Sequence, residues 1–236
     1  MRTPMPSFLE SAENLGIAFD EGDLDQLGHW LELMVEANQR MNLTRILHPE
    51  DAWHRHVLDS LTLLPMIATA KAQSLIDIGS GGGAPGIPLA IVCPDLQVGL
   101  VETTGKKARF LEETVATLGL ENVTVFNDRA ERLAALDGPQ RALWDVVTAR
   151  AVGRLPVLLE LTVPFARVGG HVLAIKGEQA PIEIEESKIA LHRLHATVVE
   201  TVRTTTGTVV VIEKPRPTPK CYPRAAGEPL RAPLVK

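Results

Sequence analysis

Apolar residues in the first third of the chain recur at spacings of three and four. Leu24, Leu27, Trp30, Leu31, Met34 and Val35 form one stripe, the pattern of a helix that buries a single face. Ala52, Trp53, Val57, Leu61 and Leu64 form another, and Pro49 suits a first turn, which predicts a helix from Pro49 through Leu64. After Lys71 the rhythm changes. Short apolar runs predict strands at Ser74–Ile78, Val98–Glu102, Val123–Phe126, Val146–Ala149 and His171–Ile175. They alternate with helices at Ile87–Val92, Lys106–Leu118, Ala130–Leu136 and Leu155–Arg167. Gly119 stands where a helix-ending glycine belongs, and Gly169-Gly170 reads as a turn into the fifth strand. A further helix near Pro181–Leu194 precedes two β-branched runs, Thr197–Val202 and Thr208–Ile212, which flank Gly207 as an edge hairpin.

Such alternation predicts an α/β fold, a mostly parallel sheet with helices on both faces. The expected organisation is a helical segment over residues 1–70 packed on the core, a sheet domain over 71–213, and a Pro-rich tail over 214–236. Hydrophobic content of 45% with 22% charged residues fits a soluble globular protein. No stretch reads as a secretory signal and no apolar run is long enough to span a bilayer. Cys93 and Cys221 match no metal or redox spacing, so the expectation is a reducing, cytoplasmic setting without a metal site or membrane contact. Charge changes this picture at one end only. The formal net charge is −5, yet from Lys214 onward the chain carries a net +5. A basic tail on an acidic body reads either as an RNA-contacting arm or as a solvated tail kept extended by its six prolines.

Candidate chemistry starts at the end of the first strand. Asp77 is followed by Gly79, Gly81 and Gly83 at alternate positions, then by a short apolar helix, and Glu102 ends the next strand. Glycines so placed let backbone approach a nucleotide-like ligand. The formal dinucleotide fingerprint Gly81-x-Gly83-x-x-Gly86 is a weak signal, and Asp77 argues against it: a pyrophosphate would meet negative charge. S-adenosylmethionine carries a sulfonium and an ammonium, which that charge favours. Glu102 is placed to accept hydrogen bonds from ribose hydroxyls. A short-chain oxidoreductase would need Tyr-x-x-x-Lys, but the single tyrosine, Tyr222, has Ala226 at that spacing. The fold expected is therefore a Rossmann-like class I S-adenosylmethionine-dependent methyltransferase sheet preceded by an N-terminal helical segment.

The third strand leads to Asp128, Arg129, Ala130 and Glu131, a turn that would flank the adenine; backbone at Ala130 and Glu131 can read its edge, and Asp128 can cap the following helix. Arg150, ending the fourth strand, faces the methyl position, where it can pair with a cofactor carboxylate, an RNA phosphate or a neighbouring acid. Lys176 after the fifth strand raises the same alternatives. No Asn/Asp-Pro-Pro-Tyr motif is present and neither cysteine follows a proline, which argues against exocyclic-amine and cytosine-C5 methylation.

Several segments taken together resemble the guanine-N7 methyltransferase family of 16S ribosomal RNA, the glucose-inhibited division protein B family. They are Met41-Asn42-Leu43-Thr44, Arg55-His56-x-Leu58-Asp59-Ser60, the Asp77–Pro88 turn, Gly105-Lys106-Lys107-x-Arg109-Phe110-Leu111, Arg129-Ala130-Glu131, Ala149-Arg150-Ala151, Leu173-Ala174-x-Lys176-Gly177 and Thr218-Pro219-Lys220-x-Tyr222-Pro223-Arg224. The resemblance implies cofactor contacts at Gly79, Ala84, Ala130, Glu131 and Arg150. The family often has a bulkier residue at the position of Ala84 and an aspartate at that of Glu102. The partner it implies is small-subunit ribosomal RNA or the assembling 30S particle. Guanine N7 has a lone pair and no proton, so no general base is expected; His56 and Arg150 are candidates for positioning the substrate. A small-molecule methyltransferase and a non-catalytic ribosome-binding protein on the same fold are the alternatives.

Overall fold

A computed structural model describes residues 2–46 and 48–235. Its centre is a seven-stranded sheet: β1 (Ser74–Ile78), β2 (Gln97–Val101), β3 (Val123–Phe126), β4 (Trp144–Arg150), β5 (Ala166–Lys176), β6 (Thr197–Arg203) and β7 (Thr208–Glu213). The order is β3-β2-β1-β4-β5-β7-β6. The first five strands are parallel, and β7 enters antiparallel to both β5 and β6. Strand order reverses between β1 and β4, which leaves a crevice at their carboxyl ends.

Period-two alternation sends the strands' apolar side chains into two separate cores. Val209 and Val211 join one cluster with Leu75, Leu100 and Leu173; Val210 and Ile212 join the other with Ile76, Val147 and Ala174. The first cluster is covered by helices Gly86–Val92 and Gly105–Leu118 and by the N-terminal helices Pro6–Asn14, Asp23–Asn38 and Leu64–Thr69. Helices Leu155–Thr162, Ala180–Glu186 and Lys188–Leu194 cover the second. Phe8, Trp30 and Trp53 are wholly buried, so the N-terminal segment is part of the core.

Several expected boundaries shift for local reasons. The helix from Leu155 stops at Thr162, because Pro164 has no N–H to continue the ladder. β5 starts at Ala166 and runs through Gly169-Gly170, which sit opposite a register shift between Trp144 and Val146. The helix expected near Pro181–Leu194 is two, divided at Ser187, whose hydroxyl bonds back to the Glu183 carbonyl at 2.6 Å. The helix from Pro49 ends at Leu61 and contains a π-helical stretch, Trp53–Leu58; another helix begins at Leu64 with Pro65 in its first turn.

The basic tail is docked, which corrects the expectation of an extended solvated segment. Lys214 is buried and donates to the Ala166 carbonyl at 2.6 Å; burial pushes its ammonium down to about 8. Arg141 donates to the carbonyls of Tyr222, Thr218 and Pro219, and His195 Nδ1 donates to that of Pro217. Arg224 reaches Glu160, which is 0% exposed, through Nη2 at 2.6 Å and Nε at 2.9 Å. Removing one partner of a buried pair leaves the other charge uncompensated. Arg224→Ala is therefore expected to destabilise the fold by about 3–5 kcal/mol, read as a shift of the urea midpoint; a change below about 1 kcal/mol would mean that the pair is solvated.

Candidate active site

The crevice between β1 and β4 holds a buried acid. Asp77 lies beside Thr148 in the parallel register and is 1% exposed. Its Oδ1 accepts the Thr148 hydroxyl at 2.9 Å, and its Oδ2 has no hydrogen-bond partner among the described residues. Burial pushes this carboxyl up to about 6, against the opposing pull of Thr148, Ser80 and the Arg150 charge. Asp77 thus sits beneath the glycine turn rather than on its surface.

Above it, the turn is held from three sides. Gly79 and Ser80 donate their N–H groups to the Val101 carbonyl, at 2.9 and 3.0 Å. Glu102 Oε2 accepts the Gly81 N–H at 3.0 Å, and Oε1 the Thr104 N–H at 2.7 Å. A carboxylate has about four acceptor positions, so this buried side chain keeps capacity for ribose hydroxyls while it fixes the turn. The third support was not legible in the motif: Trp30 Nε1, from the Asp23–Asn38 helix, donates to the Gly82 carbonyl at 3.0 Å. Glycine is required at Gly79, with φ +76°, where a Cβ would come within 2.8 Å of Val152.

Gly79, Ala130 and Glu131 line one cavity of about 240 Å³, walled by Val152, Val157 and Leu161. The N–H groups of Ala130 and Glu131 open a helical turn, Ala130–Leu133, where intrahelical acceptors are lacking. The Glu131 side chain accepts the N–H of Gly227, another residue of the cavity wall, at 2.6 Å. Ala84 is placed apart from this cavity: it is buried in the first core cluster. Asp128 does not provide the cap; Arg129 occupies that position, and Asp128 accepts its N–H and pairs with Arg132 at 3.3 Å.

A second cavity, about 610 Å³, opens on the other side of the β4 end and is lined by Arg55, His56, Asp59, Arg150, Lys176 and Thr206 among others. Arg150 is gripped here. Its Nη1 donates to the Arg55 carbonyl at 2.8 Å and lies 3.7 Å from Asp59 Oδ2, and its Nη2 reaches His56 Nδ1 at 3.2 Å. A guanidinium only donates, so His56 Nδ1 accepts and its proton sits on Nε2, 2.9 Å from the Thr44 hydroxyl. Burial and the Arg150 and Arg55 charges push His56 down to about 3, so it is neutral. Asp59 Oδ1 accepts the Thr206 hydroxyl from the β6–β7 turn. Lys176, the lesser candidate, is engaged by Glu183 and the Gly153 carbonyl, both at 2.7 Å. Asp59, Thr44 and Thr206 complete the polar surroundings of Arg150 and His56, and the first two fall in motifs that carried the resemblance.

A larger cavity of about 850 Å³ lies between the Leu64–Thr69 helix and the hairpin, lined by Met66, Leu173 and Val199 among others, with none of the candidate site residues. Among the described residues no cluster of His, Cys, Asp or Glu is suited to a metal ion, and no helix is long and apolar enough to cross a membrane.

The model of the GidB family, rRNA small subunit methyltransferase G, matches residues 23–210. The chain belongs to the GidB family. It is 48% identical over 222 residues to ribosomal RNA small subunit methyltransferase G of Sorangium cellulosum, covering 94% of this chain and 92% of that one. The protein of that name from Roseiflexus castenholzii is 41% identical, covering 98% of this chain and all of its own. Solved structures share the fold at low identity. The O-methyltransferase from Bacillus cereus, in complex with SAH, aligns with TM-score 0.55 at 18% identity, over 86% of this chain and 94% of that one. O-methyltransferase TomG from Streptomyces achromogenes, in complex with SAM, gives 0.55 at 18% identity, over 87% and 93%. The family match covers the second cavity, the helix that braces the turn, and the first cavity apart from Gly227, Pro229 and Leu230.

That bracing is testable. Trp30→Phe keeps an aromatic ring but removes the donor to Gly82. It is expected to weaken S-adenosylhomocysteine binding roughly three- to tenfold, the worth of one net hydrogen bond, by titration calorimetry. Unchanged affinity would show that the turn keeps its shape without the helix.

Proposed function

We propose that this GidB-family chain transfers the methyl group of S-adenosylmethionine to N7 of a guanine in 16S ribosomal RNA. The observation that carries the reading is the juxtaposition of two cavities at the carboxyl ends of β1 and β4, with the Asp77 field behind one and the gripped Arg150 guanidinium facing the other. The first suits the cofactor: its glycine wall admits a close ligand, its apolar walls suit a flat base, and the acid behind it has an unpartnered oxygen. In this reading Gly79, Ala130 and Glu131 meet the ligand through backbone, Glu102 takes the ribose, and Asp77 and Arg150 set the local charge.

When bound, S-adenosylmethionine supplies an electrophilic methyl on sulfur. The guanine needs a lone pair at N7 and no proton removal, so no general base is required; His56 is neutral and its Nδ1 lone pair is taken by Arg150. The protein's task is to hold the base in line. Arg150 keeps donor capacity toward the second cavity, where a phosphate or the guanine O6 can accept. A methylated purine becomes cationic, and Asp59 together with Asp77 offsets the Arg150 charge beside it. The partner in this reading is naked ribosomal RNA or the assembling particle in the cytoplasm, and no metal takes part.

The test uses labelled S-adenosylmethionine with small-subunit particles from a strain lacking the enzyme, followed by mapping of the modified base. Label at one N7-methylguanine is expected. Label on a small metabolite only, or RNA binding without label, would overturn the reading.

A pH test addresses the acid. Above about pH 6 Asp77 is charged and attracts a cationic ligand; below it, protonation removes the attraction. Affinity for S-adenosylmethionine is expected to fall between about pH 7 and about pH 5, and affinity for S-adenosylhomocysteine, which is neutral at sulfur, to fall less. Parallel decline of the two in calorimetric titrations would remove Asp77 from the account.

A further inference from the structure

We propose that the C-terminal loop around Gly227–Leu230 is a movable wall of the S-adenosylmethionine site and closes over the adenosyl group. The inference rests on the cofactor reading above. The loop lies beyond the residues that the family model matches, and nothing in the glycine motif points to it. Its two ends are tied together by one side chain: Arg224 is anchored on buried Glu160, and its Nη2 also donates to the Ala232 carbonyl at 2.8 Å. Leu234, just beyond, is buried in the second core cluster.

Between these anchors the tip reaches the cofactor cavity. Gly227, Pro229 and Leu230 line it opposite Gly79 and Ala130. The tip is latched there by the hydrogen bond from the Gly227 N–H to Glu131 Oε1. Pro229 is buried against the cavity, whereas Leu230 is 69% exposed at its rim. An exposed leucine is unremarkable by itself. Here it completes an apolar slot whose other side is Val157 and Leu161, a shape suited to a flat purine.

Size decides that the wall moves. At about 240 Å³ the cavity is smaller than the ~300–1000 Å³ usual for small-molecule sites. The remaining walls are a strand end, the braced glycine turn and two helices of the second layer. The loop tip carries its own helical turn, Glu228–Arg231, and its hydrogen bond to the facing wall is the one from Gly227 to Glu131. It therefore swings away as a unit on entry and then folds Leu230 onto the ligand, with Gly227 (φ +79°) as the flexible point.

The experiment uses the full chain and S-adenosylhomocysteine as the probe. Hydrogen exchange across residues 225–232 is expected to slow on binding. Leu230→Ser, at an exposed position, is expected to bind about tenfold more weakly by calorimetry, with an unchanged melting temperature in the absence of ligand. Equal affinity of the variant and the wild type, or exchange in the loop that ignores bound ligand, would overturn the proposal. Failure of the wild type to bind at all would overturn the cofactor reading beneath it.

Discussion

A carboxylate shut away from water organises this molecule. Asp77 is satisfied at one oxygen by Thr148 and unpartnered at the other, and the nearest full positive charge acting on it belongs to Arg150. A buried charge of this kind is tolerated only when its surroundings are fixed. Arg150 in turn is held by the Arg55 carbonyl, His56 and Asp59, all on the helix that begins at Pro49. Asp59 then reaches the hairpin through Thr206, and His56 reaches the preceding loop through Thr44. One chain of contacts joins the glycine turn, the end of β4, the N-terminal helices and the edge hairpin. The N-terminal segment therefore holds Arg150 in place as well as filling the core.

The π-helical stretch Trp53–Leu58 has a place in this arrangement. A regular helix buries one stripe, yet from His56 to Leu61 each residue here is buried, with polar His56, Asp59 and Ser60 among the apolar ones. The wider turn brings His56 and the Arg55 carbonyl to the same guanidinium while Trp53, Val57 and Leu58 stay in the core. Such insertions concentrate at functional sites because they reorient side chains without ending the helix. The apolar pattern that predicts a helix from Pro49 cannot show this, since Ala52, Trp53, Val57 and Leu61 of the stripe all remain inside.

What could be read from the chain divides along the range of the interactions. β1, buried on both faces, and the half-exposed edge strand β3 both fall where their short apolar runs put them, and the ends of the others move by a few residues. The Asp77–Gly83 turn was legible for the same local reason, as a spacing of glycines. Of the tail's two readings the solvated one fails: its composition, six prolines and six cations, is that of a solvated segment, while the partners that dock it lie far off, Ala166 for Lys214 and Glu160 for Arg224. Arg150 was found as a strand end, but its partners on the Pro49 helix stand about ninety residues earlier, and no spacing rule joins them. Glu131 shows both outcomes at once: its backbone lies where the turn predicts, and its side chain holds a loop that no local signal announces.

The protonation states narrow the chemistry further. A site built for proton abstraction keeps a group poised near neutrality with a free lone pair. Here the histidine closest to the β4 end is neutral but has no lone pair to spare, and the acid that titrates near neutrality is sealed behind the turn. What remains is a set of paired charges, Arg150 with Asp59 and Lys176 with Glu183, and a rigid backbone cradle. Such a set discriminates by charge and orientation alone, which suits a nucleophile that arrives with its lone pair exposed and a donor that arrives already activated. Rate in such a site depends on alignment, and alignment depends on the contacts that hold Arg150 and the glycine turn in place.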